Sequence, residues 1–403
     1  MTVLLEIEAR RIIAAIADAA QRWCDADFPP RIRASARICE RTGYSLAVVE
    51  YALDALFSSL TRDELEAVVR NELGDIEALD APEQRAHPLG RVAILSSRTT
   101  IGVAIPALCF ALIAKNKVLI KDREDDLVAG FAASLAEELQ PIAEALEVAL
   151  WDGARDLTRI ADVDLVVVYG NDATIATIAG AHASTTPIVG FGARASVGYL
   201  DEEDLQDTAR LDALLAGAAR DATLYDGEGC MSLHALFFQR IAGGSAAELA
   251  ERLAAAMERA AIEFPVGERS PSQRAALFNA RSHATFRAAM GRGAVYTNQR
   301  LDYLVLLSDA DEEPPPFLPR VLPLIPVTDA AALARYVERH HLPIECLAVG
   351  GTLRSGEELA ARIGAVRVAS FGEMQRPPIG AKHGGRPRIL EFVRFLDNDG
   401  GDA

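Results

Sequence analysis

A cysteine in a glycine-rich turn is the residue of this chain whose surroundings most suggest chemistry. In "LYDGEGCMSLHALFF" (224–238), Cys230 follows an acid, Glu228, by two residues and precedes a histidine, His234, by four. Such a thiol can be a buried core residue, a metal ligand or a nucleophile. A metal site is not expected, because the five cysteines form no CxxC pair and two neighbouring ligands do not complete a zinc site.

The residues around Cys230 suit a tight loop better than a hydrophobic core. "DGEGC" contains two glycines and two acids, and Gly229 allows the backbone to approach a ligand closely. A thiol on such a turn can have a lowered pKa and can present its own amide to an oxyanion. These features alone leave a nucleophile and a core thiol equally open. The other cysteines lie in or beside helical or strand patterns and are expected in the core: Cys24, Cys39, Cys109 and Cys346.

Composition narrows the class of protein. The chain has 403 residues, of which 50% are hydrophobic and 25% charged, as in soluble globular proteins of two or three domains. A net charge of -17 argues against nucleic acid or an anionic membrane as the main partner, although a local pocket can still bind a phosphate. The start of the chain lacks the charge order of a secretory signal. The longest apolar run (101–114) is shorter than a membrane span of about 20 residues, so no membrane span and a cytoplasmic location are expected.

Residue patterns divide the chain into four regions. Residues 1–78 show apolar positions at helical spacing and are predicted to be a helical segment, in which Thr61 caps a helix with Glu64 three residues later. Residues 79–210 alternate short apolar strands with helices, which predicts a doubly wound parallel sheet of the Rossmann type. Residues 211–395 are predicted to form a second α/β domain, and 396–403 a flexible tail.

Polar residues follow the predicted strands of the region 79–210. The strand ends carry "SSRTT", "KDRED", "YGND" and "GFGAR". Ligands of doubly wound sheets lie at the carboxyl ends of the strands, so a dinucleotide could bind here. The GxGxxG fingerprint is absent, and these strand ends alone are a weak indication of nucleotide binding.

Six segments, taken in order, resemble the aldehyde dehydrogenase superfamily, and within it the LuxC-type acyl-CoA reductases, which are fatty acid reductases. They are "NKVLIKDRED", "VVVYGNDATIATI", "VGFGARASVGYL", "DATLYDGEGCMSLHALFF", "LPRVLPLIPVTDAAAL" and "QRPPIGAKHGGRPRILEFVRF". The resemblance covers about 80–400. It implies an aldehyde dehydrogenase-like α/β fold, in which a Rossmann-type cofactor-binding domain is joined to an α/β catalytic domain.

The resemblance implies that Cys230 is the nucleophile. Its thiolate would attack an acyl thioester to give an acyl-cysteine, which a nicotinamide cofactor would reduce to an aldehyde, and its own N–H would stabilise the oxyanion. His234 and His383 are candidate acids or bases, although His234 also fits a hydrogen-bonded histidine at a strand start. Glu228 is a candidate proton carrier or a group that raises the thiol pKa, and a solvated loop acid is equally open.

The same resemblance implies a cofactor site. Lys121 matches the lysine that holds the adenosine ribose. Glu124 would bind a 2′-hydroxyl, whereas Arg123 would meet a 2′-phosphate, and the reductase family favours NADPH over NADH. Further candidates are assigned from matching strand ends, with the two threonines replacing a missing oxyanion asparagine: Gly170, Asn171, Gly192, Arg194, Thr99 and Thr100.

Four positions depart from the family pattern. Gly190 stands where aldehyde-oxidising relatives have a glutamate base, which disfavours hydrolysis of the acyl-enzyme. Gly227, Pro316 and Gly384 replace a glutamine, a glutamate and an aspartate of the pattern. Two alternatives therefore stay open beside thioester reduction. One is a CoA-acylating or other aldehyde dehydrogenase working oxidatively, and the other is a non-catalytic acyl- or nucleotide-binding subunit of a multi-enzyme complex.

The expected partner is an acyl thioester on CoA or on a carrier protein. Relatives usually associate, so a homo-oligomer is expected, and a complex with an acyl-activating partner is compatible with the family.

Overall fold

The structure is a computed structural model that describes residues 2–80, 86–97, 100–122, 126–151, 156–182, 185–313 and 317–396. It divides into two compact units. The first comprises Met1–Thr42, Val49–Ala193 and Pro378–Ala403, and the second Gly43–Val48 and Arg194–Pro377. No helix in these ranges is long and apolar enough to cross a membrane.

The first unit is built around a parallel sheet of short, buried strands. Its elements before residue 193 are α1 (Ala9–Trp23), α2 (Pro29–Thr42), α3 (Leu46–Phe57), α4 (Arg62–Leu73), β1 (Ala86–Pro88), β2 (Arg91–Leu95), α5 (Ile105–Ile113), β3 (Lys117–Lys121), α6 (Leu127–Glu138), α7 (Ile142–Ala145), β4 (Leu146–Ala149), β5 (Leu165–Tyr169), α8 (Asp172–Ala181) and β6 (Ile188–Phe191). The strand order is β4-β3-β2-β5-β6, with all four pairings parallel. The predicted Rossmann-type sheet is confirmed.

The amino-terminal helices pack onto this unit. The Trp23 indole N–H donates to Ser134 Oγ of α6 at 3.0 Å, and the Trp23 ring contacts Phe57 with centroids 4.9 Å apart. Thr61 Oγ1 accepts the Glu64 N–H at 3.3 Å, as the sequence predicts for the start of α4. Apart from Gly43–Val48, the predicted helical segment is thus part of the first unit.

The second unit contains a larger sheet covered on both faces by helices. Its elements are β7 (Ala195–Leu200), α9 (Glu202–Gln206), α10 (Thr208–Thr223), β8 (Leu233–Gln239), α11 (Ala246–Glu263), α12 (Pro271–Ala289), β9 (Ala294–Tyr296), β10 (Leu304–Leu307), β11 (Val321–Val327), α13 (Ala330–Arg339), β12 (Ile344–Val349), α14 (Leu353–Ile363) and β13 (Arg367–Ser370). The order is β13-β12-β7-β8-β11-β10-β9, parallel except for β9, which runs antiparallel to β10.

The predicted boundary after residue 210 is corrected to residues 193/194. Strand β7 pairs with β8 and β12 of the second sheet, so the chain changes unit before this strand and not after it. An apolar strand pattern predicts a strand but not the sheet that it joins, which is why the sequence placed β7 in the first domain.

The carboxyl-terminal segment is also reassigned, from the catalytic domain to the first unit. Strand β14 (Val393–Phe395) pairs antiparallel with β1, and the Glu72 carboxylate accepts the N–H groups of Arg388, Ile389 and Leu390. Of the predicted flexible tail 396–403, all but Leu396 lies outside the described residues.

Candidate active site

The backbone before Cys230 follows an unusual left-handed path. Tyr225, Asp226 and Gly227 have φ angles of 53°, 51° and 75° in succession, between the end of α10 and the start of β8. Non-glycine residues in this region cost about 1–3 kcal/mol each and persist only where surrounding contacts fix them. At Gly227 a Cβ would lie 3.1 Å from the Ala222 carbonyl oxygen, which gives a physical reason for glycine where the family has glutamine.

A buried ion pair fixes this turn. The Arg320 side chain is essentially inaccessible, and its guanidinium contacts the Asp226 carboxylate at 2.6 Å. The Arg320 N–H donates to the Asp226 carbonyl oxygen at 2.9 Å, so one residue holds both the side chain and the main chain of Asp226. The remaining guanidinium donors reach the carbonyl oxygens of Phe264 and Pro265. Because the charges are paired and hydrogen-bonded, burial is tolerated and the backbone is held firmly.

A second set of contacts fixes the turn on the other side of Gly229. Ser232 Oγ accepts the Gly229 N–H at 3.1 Å and a hydrogen bond from Gln375 Nε2 at 2.7 Å. The loop that carries Gln375 is held by buried Asp221, whose carboxylate accepts the N–H groups of Gly372 and Met374. Burial raises the pKa of Asp221 to about 7, and those two hydrogen bonds oppose the rise.

Ser196 joins the Cys230 turn to the sheet. Its hydroxyl donates to the Cys230 carbonyl oxygen at 2.7 Å and accepts the Cys346 N–H at 3.1 Å. The ladders on both sides of β7 are irregular here. Glu345 is the extra residue of β12 and His234 the extra residue of β8. Bulges re-aim side chains and are frequent beside active sites.

His234 lies on the strand that follows the thiol. It is buried, its Nδ1 accepts the Ser196 N–H at 3.1 Å, and its ring packs against Phe317 with centroids 4.7 Å apart. Burial lowers its pKa to about 4, so the imidazole is neutral. A neutral ring that accepts at Nδ1 carries its proton on Nε2 and has no free basic nitrogen. Of the two interpretations of His234, this contact supports the hydrogen-bonded histidine.

Two charged side chains act on the half-buried Cys230 thiol. Burial raises the pKa of Cys230 to about 12, and the charge of Glu345 acts in the same direction. The main-chain N–H groups of Cys230 and Met231, followed by the charge of Arg194, oppose the rise. Arg194 Nε and Glu345 Oε2 are 3.7 Å apart, and the Glu345 side chain is 4% exposed. The free thiol is therefore protonated at neutral pH.

Glu228 lies on the exposed side of the turn. Its Oε1 accepts a hydrogen bond from Gln273 Nε2 in the first turn of α12, at 3.0 Å. Desolvation raises the pKa of Glu228, the bond from Gln273 opposes the rise, and the charge of Asp226 adds to it. The carboxylate whose charge raises the pKa of the Cys230 thiol is Glu345, 115 positions after Cys230 in the chain.

The cofactor candidates of the first unit gather at the carboxyl ends of its strands. Lys121 is the last residue of β3 and places its ammonium 5.4 Å from the centre of the Trp151 ring. Gly170 follows β5, and Asn171 caps α8 by accepting the Thr174 N–H at 2.8 Å. The amino end of a helix attracts anionic groups, so this turn suits a pyrophosphate.

Two glycines of the "GFGAR" segment have little room for a side chain. A Cβ at Gly192 would overlap the Asp172 carboxylate, which also accepts the Ala193 N–H. A Cβ at Gly190 would lie 2.7 Å from Ile175 Cγ2. A glutamate base at position 190 would thus require its neighbours to move. Arg194, predicted for the cofactor, begins the second unit and pairs with Glu345.

His383 belongs to the first unit. Its ring meets Phe191 and Tyr169 edge-on, with centroids 4.3 and 5.3 Å apart, at the ends of β6 and β5. The neighbouring Gly384 has φ 55°, and a Cβ there would lie 3.0 Å from the Phe191 ring, which gives a reason for its departure from the family aspartate. The structure brings His383 to the strand ends of the cofactor candidates, while Cys230, Glu228 and His234 lie in the second unit.

Some predicted residues fall outside this description. Arg123, Glu124, Thr99 and Pro316 lie outside the described residues. Thr100 is described and belongs to the first unit, where its carbonyl oxygen accepts the Val103 N–H at 3.5 Å.

Sequence reasoning missed the residues that hold the thiol turn. They are distant along the chain and are ordinary residue types in strands and loops: Ser196, Arg320, Glu345, Gln375 and Asp221. A buried acid inside the apolar strand "IECLAV" was the one local signal that could have singled out Glu345.

Comparison with solved structures shows the fold. A NAD-dependent benzaldehyde dehydrogenase from Corynebacterium glutamicum matches with a TM-score of 0.69 at 16% identity, over 96% of this chain and 83% of that one. A glyceraldehyde-3-phosphate dehydrogenase from Methanocaldococcus jannaschii, solved with NADP, matches with a TM-score of 0.70 at 11% identity, over 98% and 90% of the two chains. The aldehyde dehydrogenase-like fold predicted from the sequence is confirmed.

Comparison of sequences shows the family. A long-chain acyl-protein thioester reductase of Vibrio harveyi is 19% identical over 412 residues, covering 98% of this chain and 84% of the relative. The family model of the acyl-CoA reductase (LuxC) matches residues 4–395. The chain belongs to the LuxC family of acyl-CoA reductases, as the order of its motifs predicted.

Proposed function

We propose that this protein reduces an acyl thioester to an aldehyde with a nicotinamide cofactor, through an acyl group held on Cys230. The observation that carries the proposal is the half-buried thiol on a turn fixed by Arg320, Ser196 and Gln375, in a chain of the LuxC family. A reactive group held by buried contacts keeps its position while bonds form and break, which is what covalent catalysis requires.

Acylation begins with loss of the thiol proton. The thiolate of Cys230 attacks the carbonyl carbon of the thioester, the new C–S bond forms, and the carrier sulfur leaves and takes up a proton. The N–H groups of Cys230 and Met231, which lower the thiol pKa, are suited to stabilise the oxyanion of the tetrahedral intermediate. Arg194 favours the thiolate and Glu345 opposes it, so this pair tunes the fraction that is reactive.

The residues at the strand ends of the first unit fit a dinucleotide. Lys121 would hold the adenosine ribose, and the turn at Gly170 and Asn171, at the amino end of α8, would receive the pyrophosphate. When bound, the cofactor supplies the hydride that reduces the acyl group. Release of the aldehyde then returns the sulfur of Cys230 as a thiolate. We favour NADPH over NADH, with Arg123 meeting the 2′-phosphate.

Gly190 supports reduction over hydrolysis. Release of an acid would need a base to activate water, and the predicted position of that base has no side chain and no room for one next to Ile175. The acyl group therefore stays on the sulfur until it is reduced.

The substrate is an acyl thioester on CoA or on a protein. The family is described as acyl-CoA reductases, and the Vibrio harveyi relative is named for long-chain acyl-protein thioesters. We propose a long acyl chain, because the Vibrio harveyi relative is named for long-chain thioesters.

Steady-state turnover tests the proposal. The protein is mixed with acyl-CoAs of varied chain length and with NADPH or NADH, and both cofactor oxidation and aldehyde are measured. We expect thioester-dependent oxidation of the cofactor with one aldehyde per cofactor, and loss of turnover in Cys230→Ala. Full turnover by Cys230→Ala, or oxidation of the cofactor without formation of aldehyde, would contradict the proposal.

A further inference from the structure

One stretch of the second unit is positively charged, although the protein as a whole is acidic. The chain has a net charge of -17 and 58 acidic residues in 403, yet residues 269–301 contain no acid and six arginines. The six are Arg269, Arg274, Arg281, Arg287, Arg292 and Arg300. Helix α12 forms the centre of this stretch. A positive surface on an acidic protein attracts acidic ligands and partners that the rest of the molecule repels.

Helix α12 presents apolar side chains to solvent. The rings of Phe278 and Phe286 are 55% and 65% exposed, and Met290 just after the helix is 64% exposed. The only fully buried residue of the helix is Leu277, which packs with Leu304 and neighbours in a small cluster. Large apolar side chains grouped on one exposed face mark interaction surfaces.

The arginines beside these rings are available for a partner. The Arg281 guanidinium lies 5.0 Å from the centre of the Phe278 ring, and Arg274 Nη1 donates to a main-chain oxygen at 2.7 Å. Among the described residues, no carboxylate lies within ion-pair distance of Arg274 or Arg281. Arg287, nearer the carboxyl end, is paired with Glu312. Between Arg274 and Phe286, α12 therefore combines arginines that have no carboxylate partner among the described residues with exposed aromatic surface.

The first turn of α12 is hydrogen-bonded to the turn that carries Cys230. The bond from Gln273 to Glu228 joins the first turn of α12 to a residue two positions before Cys230. A partner seated on α12 would therefore lie beside the turn that must receive the acyl group.

We propose that the α12 face, defined by Arg274, Phe278, Arg281 and Phe286, is the docking surface for an acidic protein that carries the acyl group as a thioester. The inference rests on the proposed function and adds the partner's chemistry to it. Arginine pairs with carboxylates and aromatic side chains supply contact area, which is the usual composition of interface centres. An anionic membrane is disfavoured, because the net charge of the chain repels it.

A comparison of two thioesters tests this surface. The probes are an acidic acyl carrier protein loaded with a tetradecanoyl thioester and tetradecanoyl-pantetheine, which has the same reactive group and no net charge. We expect Arg274→Glu/Arg281→Glu to lower kcat/KM for the carrier protein by about tenfold or more, through KM, and to leave tetradecanoyl-pantetheine unchanged. Phe278→Ser/Phe286→Ser should act in the same direction.

The matched control places the same charge change elsewhere on the unit. Arg335→Glu/Arg354→Glu alters exposed arginines of α13 and α14 and should leave both substrates unchanged. Added salt should weaken wild-type turnover of the carrier protein and have little effect on the α12 charge variant.

The remaining outcomes of this comparison distinguish failure of the proposed function from failure of the docking surface. Failure of the wild type to reduce either thioester would contradict the proposed function itself. Reduction of both, with no loss for the carrier protein in the α12 charge variant, would overturn the docking surface alone. Equal loss on both substrates with a changed oligomeric mass would assign this face to a second copy of the chain. Binding to phosphatidylglycerol vesicles that the variant loses, with the carrier unaffected, would assign it to a membrane.

Discussion

In the two sheets of this protein, the candidate functional residues lie at opposite ends of the strands. In the first unit, the cofactor candidates Lys121, Gly170 and Gly192 lie at the carboxyl ends of β3, β5 and β6. In the second unit, Cys230 precedes the amino end of β8, and Ser196 and Glu345 lie at the amino ends of β7 and β12. Carboxyl-end sites follow from parallel topology, whereas the thiol site is made by bulges and by distant contacts.

The two sites differ in the contacts that hold their backbone in place. At the carboxyl ends, a strand, a short turn and a helix amino end suffice, as the capping of α8 by Asn171 shows. At the amino ends, the left-handed turn needs Arg320 on one side and the pair Ser232–Gln375 on the other. Variants in the two regions should therefore fail in different ways.

The largest effect is expected from the buried ion pair. Arg320→Met leaves the Asp226 carboxylate buried without its partner, which costs about 3–5 kcal/mol of unfolding free energy. Denaturant unfolding measures the loss, and thioester turnover should fall with it. As control, Arg362→Met removes an exposed helical pair with Glu358 and should cost about 0.5 kcal/mol or less. Similar costs for the two variants would contradict the anchoring role.

The next effect is a pH dependence of stability from His234. Its pKa is about 4 in the folded protein and about 6.5 when unfolded, so below pH 6.5 the unfolded chain takes up a proton that the folded one refuses. Stability falls from this source as the pH drops from 6.5 to 4, by up to about 3 kcal/mol. His234→Gln keeps an acceptor for Ser196 and should remove this loss.

The control for His234 is activity. If the histidine positions the strand and does not move protons, His234→Gln should still form aldehyde at a rate near that of the wild type.

Asp221 changes stability with pH in the opposite direction, because its pKa is raised to about 7 in the folded protein. Its cost to stability grows as the pH rises from 4 to 7. The difference in unfolding free energy between wild type and His234→Gln isolates the histidine. A difference independent of pH would contradict the neutral buried ring.

A smaller effect is expected from Asn171→Ala, a variant of the first unit that should leave the reactivity of the Cys230 thiol unchanged. Asn171→Ala removes the cap of α8 and should cost about 1 kcal/mol, together with weaker binding of the nicotinamide cofactor. Alkylation of Cys230 by iodoacetamide should be unchanged, because the cap and the thiol belong to different units. Calorimetry of cofactor binding and mass spectrometry of the alkylated peptide measure the two. A changed alkylation rate with normal cofactor binding would reverse the assignment.

The smallest expected effect is the tuning of the thiol. Glu345→Gln removes a negative charge that raises the Cys230 pKa, so alkylation at pH 8 should become a few-fold faster, whereas Arg194→Gln should make it slower. For the wild type, the rate should rise about tenfold per pH unit from pH 7 to 10, below the raised pKa. Changes of the same sign in both variants would argue against a direct electrostatic effect.

The sequence was sufficient for the parts whose patterns are local. Alternating apolar strands and helices predicted the first sheet, and "KDRED", "YGND" and "GFGAR" marked its strand ends. The order of motifs predicted the family. The assignment of β7 to the first domain was wrong, because an apolar strand pattern does not show which strands it pairs with.

The environment of Cys230 could not be predicted for the same reason. Glu228 was singled out because it is close to Cys230 in the sequence, but the carboxylate whose charge raises the pKa of the thiol is Glu345. Only tertiary structure brings β12 beside β7. The histidine four residues after the thiol was a candidate base until its Nδ1 was found to accept the Ser196 N–H. Spacing in sequence does not show which hydrogen bonds are already made.

The central claim is that Cys230 carries the acyl group. The most direct measurement is peptide mapping by mass spectrometry after the protein is mixed with a tetradecanoyl thioester in the absence of nicotinamide cofactor. We expect one acyl adduct, on Cys230, which disappears when NADPH is added and aldehyde is released; the buried thiols of Cys109 and Cys346 should stay unmodified. No adduct on Cys230, or an adduct that persists while aldehyde forms, would contradict the account.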